Sequence, residues 1–199
     1  MAADPLRLRF VTSAPSLDDL PATSAEVAVV GRSNVGKSSL LNALAGSSGL
    51  AKISSKPGKT RLLNVFALDT GRQPAPTVVD LPGVGFAHVS KTERAAWQRR
   101  MDDYLQHREG LRTVLVLVDG AIGPAKLDVE LLTWLRDHDV PFTVVATKHD
   151  KVKSSQRTRR KRDLAAGCDL DEREVRWVSV TTGVGVDRLR AEVRELLSR

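Results

Sequence analysis

Residues 31–38 read Gly-Arg-Ser-Asn-Val-Gly-Lys-Ser. They fit the G-x-x-x-x-G-K-[ST] phosphate-loop pattern. The preceding Glu26–Val30 is a strand-like Glu-Val-Ala-Val-Val, and Ser38–Ala45 is helix-like. Strand, glycine turn and helix in that order strongly constrain the fold. The turn lets backbone N–H groups converge on an anion, and the helix N-terminus adds its dipole. Gly31 and Gly36 permit close backbone approach, and Arg32, Ser33, Asn34 and Val35 form the turn between them. Lys37 would reach the β- and γ-phosphates, and the Ser38 hydroxyl would coordinate Mg²⁺. A chance glycine turn is the bland alternative, and the flanking strand and helix argue against it.

The base is read further along. An apolar run from Pro141 delivers Thr147-Lys148-His149-Asp150 at its carboxyl end, where open α/β sheets bind ligands. A carboxylate accepts two hydrogen bonds side by side. Guanine offers such a pair, N1–H and the exocyclic amine, and adenine has no equivalent edge. Asp150 is therefore the expected guanine reader, with the Lys148 stem covering one face of the base. A helix N-cap at Asp150 and a solvated Lys148 are the alternatives.

Asp80-Leu81-Pro82-Gly83 follows the apolar Thr77-Val78-Val79. Asp80 stands where a carboxylate just beyond the Mg²⁺ ligands belongs, and the Gly83 N–H could meet the γ-phosphate. A plain Pro-Gly turn is the alternative. Thr60, within Gly58-Lys59-Thr60-Arg61-Leu62, is the expected second Mg²⁺ hydroxyl, with Thr70 and Thr77 as rivals. Lys37, Thr60 and Gly83 are the candidate catalytic groups. Val178-Ser179-Val180 closes the set, the Val180 N–H facing the guanine carbonyl. Phosphate loop, Asp-x-x-Gly and Thr-Lys-x-Asp in this order resemble the translation-factor class of GTPases.

A chain of 199 residues is expected to be one domain with a substantial core. Residues 1–24 form an N-terminal extension packed on or leading into a domain of residues 25–199. No apolar run approaches the roughly 20 residues of a membrane span, and the start lacks a signal-peptide core. The single cysteine, Cys168, excludes an internal disulfide and suits a reducing cytoplasm. The net charge of +7 and pI of about 9.9 point to a polyanionic partner besides the nucleotide. Arg157, Arg159, Arg160, Lys161 and Arg162 are five cations within six residues. On a helix, Arg157, Arg160 and Lys161 share one side, and Arg159 and Arg162 the other. A solvated surface and phosphate contact with RNA are both open readings.

Apolar strand candidates at 26–30, 62–68, 77–80, 113–119, 141–147 and 175–179 alternate with helical patterns. Continuous runs such as Val114–Val118 suit parallel strands covered on both faces. The expectation is a three-layer α/β fold with about six strands, mostly parallel, and helices on both faces, the Ras-like G domain of P-loop NTPases. The 62–68/77–80 pair would place one antiparallel strand at the edge. Ser90-Lys91-Thr92-Glu93 reads as a capping box, followed by Trp97, Met101, Tyr104 and Leu105 at helical spacing. Leu127, Leu131, Trp134 and Leu135 mark the next helix, and Leu189, Val193, Leu196 and Leu197 the last. Residues 47–60 and 84–90 are left as loops flanking the nucleotide.

Taken with Phe10-Val11-Thr12-Ser13-Ala14-Pro15, the run Gly31–Leu44, Pro57-Gly58-Lys59-Thr60, Val89-Ser90-Lys91 and Thr147–Lys151, the chain resembles the bacterial EngB (YihA/YsxC) GTPases. These belong to the TrmE-Era-EngA-YihA-septin-like class. The resemblance covers nearly the whole chain. It implies a role in large ribosomal subunit assembly, linked to septation in dividing cells; the motifs themselves suit a Mg²⁺-dependent GTP/GDP switch, and a cytoplasmic monomer is expected. The large subunit or its rRNA would be the partner, through the basic 157–162 segment. The sequence departs from the family at Val84, where an aromatic is usual, and in Gly120-Ala121-Ile122-Gly123-Pro124, which lacks the usual arginine.

Val84 stands where Ras-type enzymes place a water-orienting glutamine. Valine cannot hydrogen-bond water through its side chain, so intrinsic turnover is expected to be slow. In related GTPases an asparagine at the position of Asn34 helps hold K⁺ near the phosphates. K⁺ binding and simple loop stabilisation are both open here. A protein-interaction switch in cell division without RNA contact, carried by residues 91–107, is the competing function. His88, His107, His138 and His149 are scattered without a metal-ligand pattern.

Overall fold

Seven strands form one sheet in the order β1-β3-β4-β2-β5-β6-β7. They are β1 (Leu8–Ala14), β2 (Glu26–Gly31), β3 (Leu63–Leu68), β4 (Thr77–Asp80), β5 (Leu111–Asp119), β6 (Phe142–Thr147) and β7 (Arg176–Trp177). The helices are α1 (Lys37–Ala45), α2 (Lys91–His107), α3 (Lys126–Asp137), α4 (Arg157–Gly167) and α5 (Val186–Ser198). The computed structural model describes residues 3–51, 62–83 and 91–199. Gly58, Lys59, Thr60, Arg61, Val84, His88, Ser90 and the Trp97 side chain lie outside that description, as do most of the expected switch loops.

The sheet has one more strand than expected. β1 pairs antiparallel with β3, which pairs antiparallel with β4. The antiparallel strand therefore lies one place in from the edge, and β1 occupies the edge itself. The alternation of Arg7-Leu8-Arg9-Phe10 is a strand signal only four residues long. Phe10 is 53 % exposed, and the register shifts between Phe10 and Thr12, a bulge that breaks any period-2 pattern. β7 is shorter than the apolar run suggests, and a 3-10 turn at Glu172–Glu174 delays its start. The chain still bonds alongside β6 beyond β7, with Val178 N–H donating to Ala146 O at 2.9 Å.

β2 lies at the centre, and all six of its residues are buried. Successive strand side chains point to opposite faces. Ala28 and Val30 thus join one core with Met101, Tyr104, Leu132 and Leu164 of α2, α3 and α4. Val27 and Val29 join the other with Leu40, Leu41, Leu189 and Val193 of α1 and α5. The result is the expected three-layer arrangement. It directs the carboxyl ends of β2, β4, β5 and β6 to one edge, because these strands run parallel.

At the opposite, amino-terminal end sits a buried polar group. Glu26 is fully buried, and its carboxylate accepts from Tyr104 Oη at 2.6 Å, Thr77 Oγ1 at 2.6 Å, and Arg108 Nε and Nη2, both at 2.9 Å. A buried charge is tolerated when it is paired and hydrogen-bonded. Burial, and then the Glu26 charge, push the Tyr104 phenol well above its usual range, so it stays a donor. This cluster fixes the end of α2 to the start of β2.

Candidate nucleotide site

The phosphate loop leaves β2 at Gly31 and enters α1 at Lys37. Gly36 has φ of 104°, a left-handed conformation that costs a side-chain-bearing residue far more than glycine. The first turn of α1 carries no acidic residue, and its N-cap makes no side-chain hydrogen bond. Helix N–H groups left without an intrahelical partner suit an anion. The Lys37 ammonium reaches the Asp80 carboxylate and donates to Leu81 O at 2.7 Å. Asp80 is 5 % exposed and is approached on its other oxygen by Asn64 Nδ2 at 3.4 Å. Asn64 Oδ1 in turn accepts from Ser13 Oγ at 2.7 Å. The carboxylate is thus held at the end of β4 by groups from α1, β3 and β1. Ser38 sits on the first turn of α1, so a hydroxyl and a nearby carboxylate, both hard oxygen donors, fit Mg²⁺.

Gly83 lies against this loop: a Cβ placed on it would fall 3.1 Å from Gly31 O and 3.7 Å from Ser33 N. The Asp80–Gly83 segment and the phosphate loop therefore share one surface. Arg32 is directed elsewhere. Its Nε donates to Asp128 Oδ2 at 2.9 Å and Oδ1 at 3.1 Å, and Asp128 is 1 % exposed. Asp128 Oδ2 also accepts the Ala125 N–H at 2.9 Å, so one buried carboxylate caps α3 and anchors the phosphate loop.

The loop carrying Thr147 to Asp150 is joined to the phosphate loop directly. Thr147 Oγ1 donates to Val35 O at 2.7 Å and lies 3.2 Å from Val118 O. Lys148 takes a left-handed φ of 56°, and its ammonium donates to Asp119 Oδ2 at 2.7 Å, which holds the stem across the site. Asp150 Oδ1 accepts from Ser179 Oγ at 2.7 Å. That bond holds the Asp150 carboxyl below the usual carboxylate range. Ser179 is fully buried, while its Oγ also accepts from Thr182 N–H at 3.1 Å. Val180 next to it is 43 % exposed, and Val178 is buried. His149 is held below its ordinary pKa by burial, then by Arg157 and Lys161. It packs edge-on to Trp177 at 5.6 Å.

Asn34 is exposed with φ of 64°, a conformation asparagine tolerates better than most residues. Leu62 is 39 % exposed at the entry to β3. Three residues of the site were not legible as such: Asp119, Asp128 and Asn64. Asp119 ends β5 level with Thr147 of β6, and that register was the available signal. Asp128 and Asn64 gave none, since their partners are 96 and 51 residues away.

The family description 50S ribosome-binding GTPase matches residues 26–148. A probable GTP-binding protein EngB of Pelotomaculum thermopropionicum is 42 % identical over 192 residues, covering 96 % of this chain and 93 % of that protein. The probable GTP-binding protein EngB of Streptococcus pyogenes serotype M5 is 49 % identical over 135 residues, covering 68 % and 64 % respectively. Among solved structures, a probable GTP-binding protein engB superposes with a TM-score of 0.69 at 24 % identity, covering 87 % of this chain and 99 % of that one. An Era variant of Aquifex aeolicus bound to GDP and AlF4⁻ gives 0.66 at 25 % identity, covering 88 % and 57 %.

Fold, loop order and these likenesses define a P-loop GTPase built on a G domain. Hydrolysis of GTP is the activity of that class. Within it, this chain belongs to the EngB family of GTP-binding proteins.

Proposed function

We propose that this GTPase is a slow, Mg²⁺-dependent switch in the assembly of the large ribosomal subunit, cytoplasmic and linked to normal septation. The observation that carries the nucleotide part is the joined pair of loops: Thr147 bonds Val35 of the phosphate loop, and three residues later Asp150 is oriented by Ser179. One rigid connection sets the distance between guanine reader and phosphate cradle.

In this reading, Asp150 accepts N1–H and the exocyclic amine of guanine, Lys148 covers the ring, and the Val180 N–H meets the carbonyl. Lys37 turns from Asp80 towards the β- and γ-phosphates, and backbone N–H groups of residues 31–38 hold the anion. Ser38 and Thr60 would hold Mg²⁺, with Asp80 just beyond. The ion would draw charge from the phosphate oxygens when bound. Gly83 offers its N–H to the γ-phosphate. Water attacks the γ-phosphorus, the bond to the β–γ bridging oxygen breaks, and GDP and phosphate leave. Val84 supplies no side-chain donor for that water, so turnover is slow without a partner group or a bound K⁺.

The ribosomal part is supported by the family description and by charge. Arg159 and Arg162 of α4 are exposed, and Arg157, Arg160 and Lys161 are half-buried. Arg160 Nη1 donates to Ile122 O at 3.3 Å, and among the described residues Arg159 makes only a largely exposed 3.4 Å pair with Asp163. Solvent-exposed pairs of that kind leave the cation available to phosphates. The test is co-sedimentation with purified large subunits in GDP and in a non-hydrolysable GTP analogue, across salt concentrations. Binding favoured by the analogue and weakened by salt is expected. No binding in either state, with nucleotide loaded, would transfer the role to a protein partner in cell division.

A further inference from the structure

Behind the phosphate loop, between α2 and α3, lies a cleft of about 210 Å³. Its floor is apolar, formed by Val30, Met101, Leu105, Leu131 and Trp134. Its mouth carries Leu127, 42 % exposed, and two carboxylates, Asp102 and Glu130. Asp102 accepts from Gln98 Nε2 at 2.7 Å. Glu130 stands 3.7 Å from a 90 % exposed Lys126, a pair of little energetic weight. No cation is among the described residues lining the cleft, although the chain as a whole carries +7.

Size and charge together select the occupant. The volume falls below the roughly 300–1,000 Å³ of small-molecule sites, and suits one inserted side chain. Two carboxylates at the mouth repel phosphate, which disfavours RNA, and attract lysine or arginine. A half-buried tryptophan lining an apolar pocket, as Trp134 does here, is the kind of residue that anchors protein contacts. We infer that this cleft docks a segment of a protein partner in which one large apolar residue is flanked by lysines or arginines. It is a surface separate in chemistry from the cationic α4.

The cleft is also connected to the nucleotide site. Val30 of its floor immediately precedes Gly31, and Leu127 of its mouth immediately precedes Asp128, which holds Arg32. An occupant that shifts α3 therefore bears on the phosphate loop through a buried ion pair, and docking changes the rate of nucleotide release. This coupling rests on the GTP reading, whereas the docking does not.

The test uses the full chain loaded with GDP and a panel of fluorescent peptides of about twelve residues. Each carries one Leu, Ile, Phe or Trp among lysines and arginines, with counterparts in which the anchor is alanine or the cations are glutamates. Micromolar binding by anchored cationic peptides is expected, weakened about tenfold or more in both counterparts. Glu130→Lys and Leu127→Ser, both at exposed positions, should weaken it similarly while circular dichroism stays unchanged. Release of a fluorescent GDP analogue should change about threefold with peptide bound. Absence of any binding tighter than millimolar, or binding indifferent to both substitutions, would overturn the docking. Direct binding of a single-stranded RNA that is lost in Leu127→Ser would overturn the choice of occupant. Unchanged GDP release with peptide bound would overturn the coupling. Peptide binding is read without turnover, and nucleotide loading is scored separately, so failure here is distinct from failure of the GTP reading.

Discussion

The Thr147 hydroxyl donates to the Val35 carbonyl at 2.7 Å and thereby ties the loop after β6 to the phosphate loop. Its removal in Thr147→Val keeps the shape and leaves a buried carbonyl short of a donor. That should cost about 1–3 kcal/mol of stability. Guanine nucleotide affinity should fall as well, because the two half-sites lose their fixed spacing. Thermal unfolding and titration with a fluorescent GDP analogue would measure both. Unchanged affinity would mean that the loops are spaced by other contacts.

Asp150→Asn replaces an acceptor pair with one acceptor and one donor. Guanine then meets a donor where it also donates, and xanthine, with a carbonyl in place of the amine, is better matched. The preference for GTP over XTP should shift by about 2–3 kcal/mol, or about 30- to 150-fold. Competition binding with the two nucleotides reads it. Retained GTP preference would show that Asp150 is not the reader.

The Asp150–Ser179 bond makes acid stability testable. Since the folded carboxyl is more acidic than the unfolded one, its stabilisation is complete above the unfolded pKa of about 3.9. It is lost as pH falls through the lower, folded value. Ser179→Ala should lower the melting temperature at neutral pH, and the gap to the unaltered protein should close on acidification. A gap independent of pH would assign the effect to packing of the buried serine instead.

Arg32 and Asp128 should respond unequally. Arg32 is 24 % exposed and Asp128 only 1 %. Arg32→Ala leaves the buried carboxylate with only the Ala125 N–H as partner, at roughly 3 kcal/mol. Asp128→Asn leaves a guanidinium that can reach water, and should cost less. The double substitution should recover part of the loss, which a double-mutant cycle on denaturant unfolding would measure. Additive losses would mean that the pair is not coupled.

For Asn34, backbone and side-chain roles separate cleanly. Glycine adopts the φ of 64° at no steric cost but has no carboxamide. Turnover of the unaltered protein should be faster in K⁺ than in Na⁺ at equal ionic strength, and Asn34→Gly should abolish the difference. Stimulation surviving in the glycine variant would limit Asn34 to shaping the loop.

Much of this was legible because the contacts are local. The phosphate loop needs a strand, a turn and a helix within about 20 residues, and β2, β5 and β6 are continuous apolar runs. Thr147-Lys148-His149-Asp150 likewise carries its position in its own strand. What escaped depends on distant pairing. β1 is amphipathic and bulged, and its strand character comes from β3, 49 to 60 positions away. Asp128 reads as an ordinary first-turn acid of an amphipathic helix. Only folding brings it to Arg32. Similarly, the split of the α4 cations followed from helical geometry, and Arg157, Arg160 and Lys161 are the more buried set.

The Glu26 cluster turns α2 into a lever. Tyr104 and Arg108 pin its far end to the sheet, while Lys91 begins it about 20 Å away at 1.5 Å per residue. A tilt of about 10° about Tyr104 would sweep Lys91 by roughly 3 Å and leave the pivot almost still. Displacement of α2 therefore grows with distance from Glu26 and is greatest at Lys91, so the pivot of this arm is set by a buried carboxylate at the amino-terminal end of the sheet.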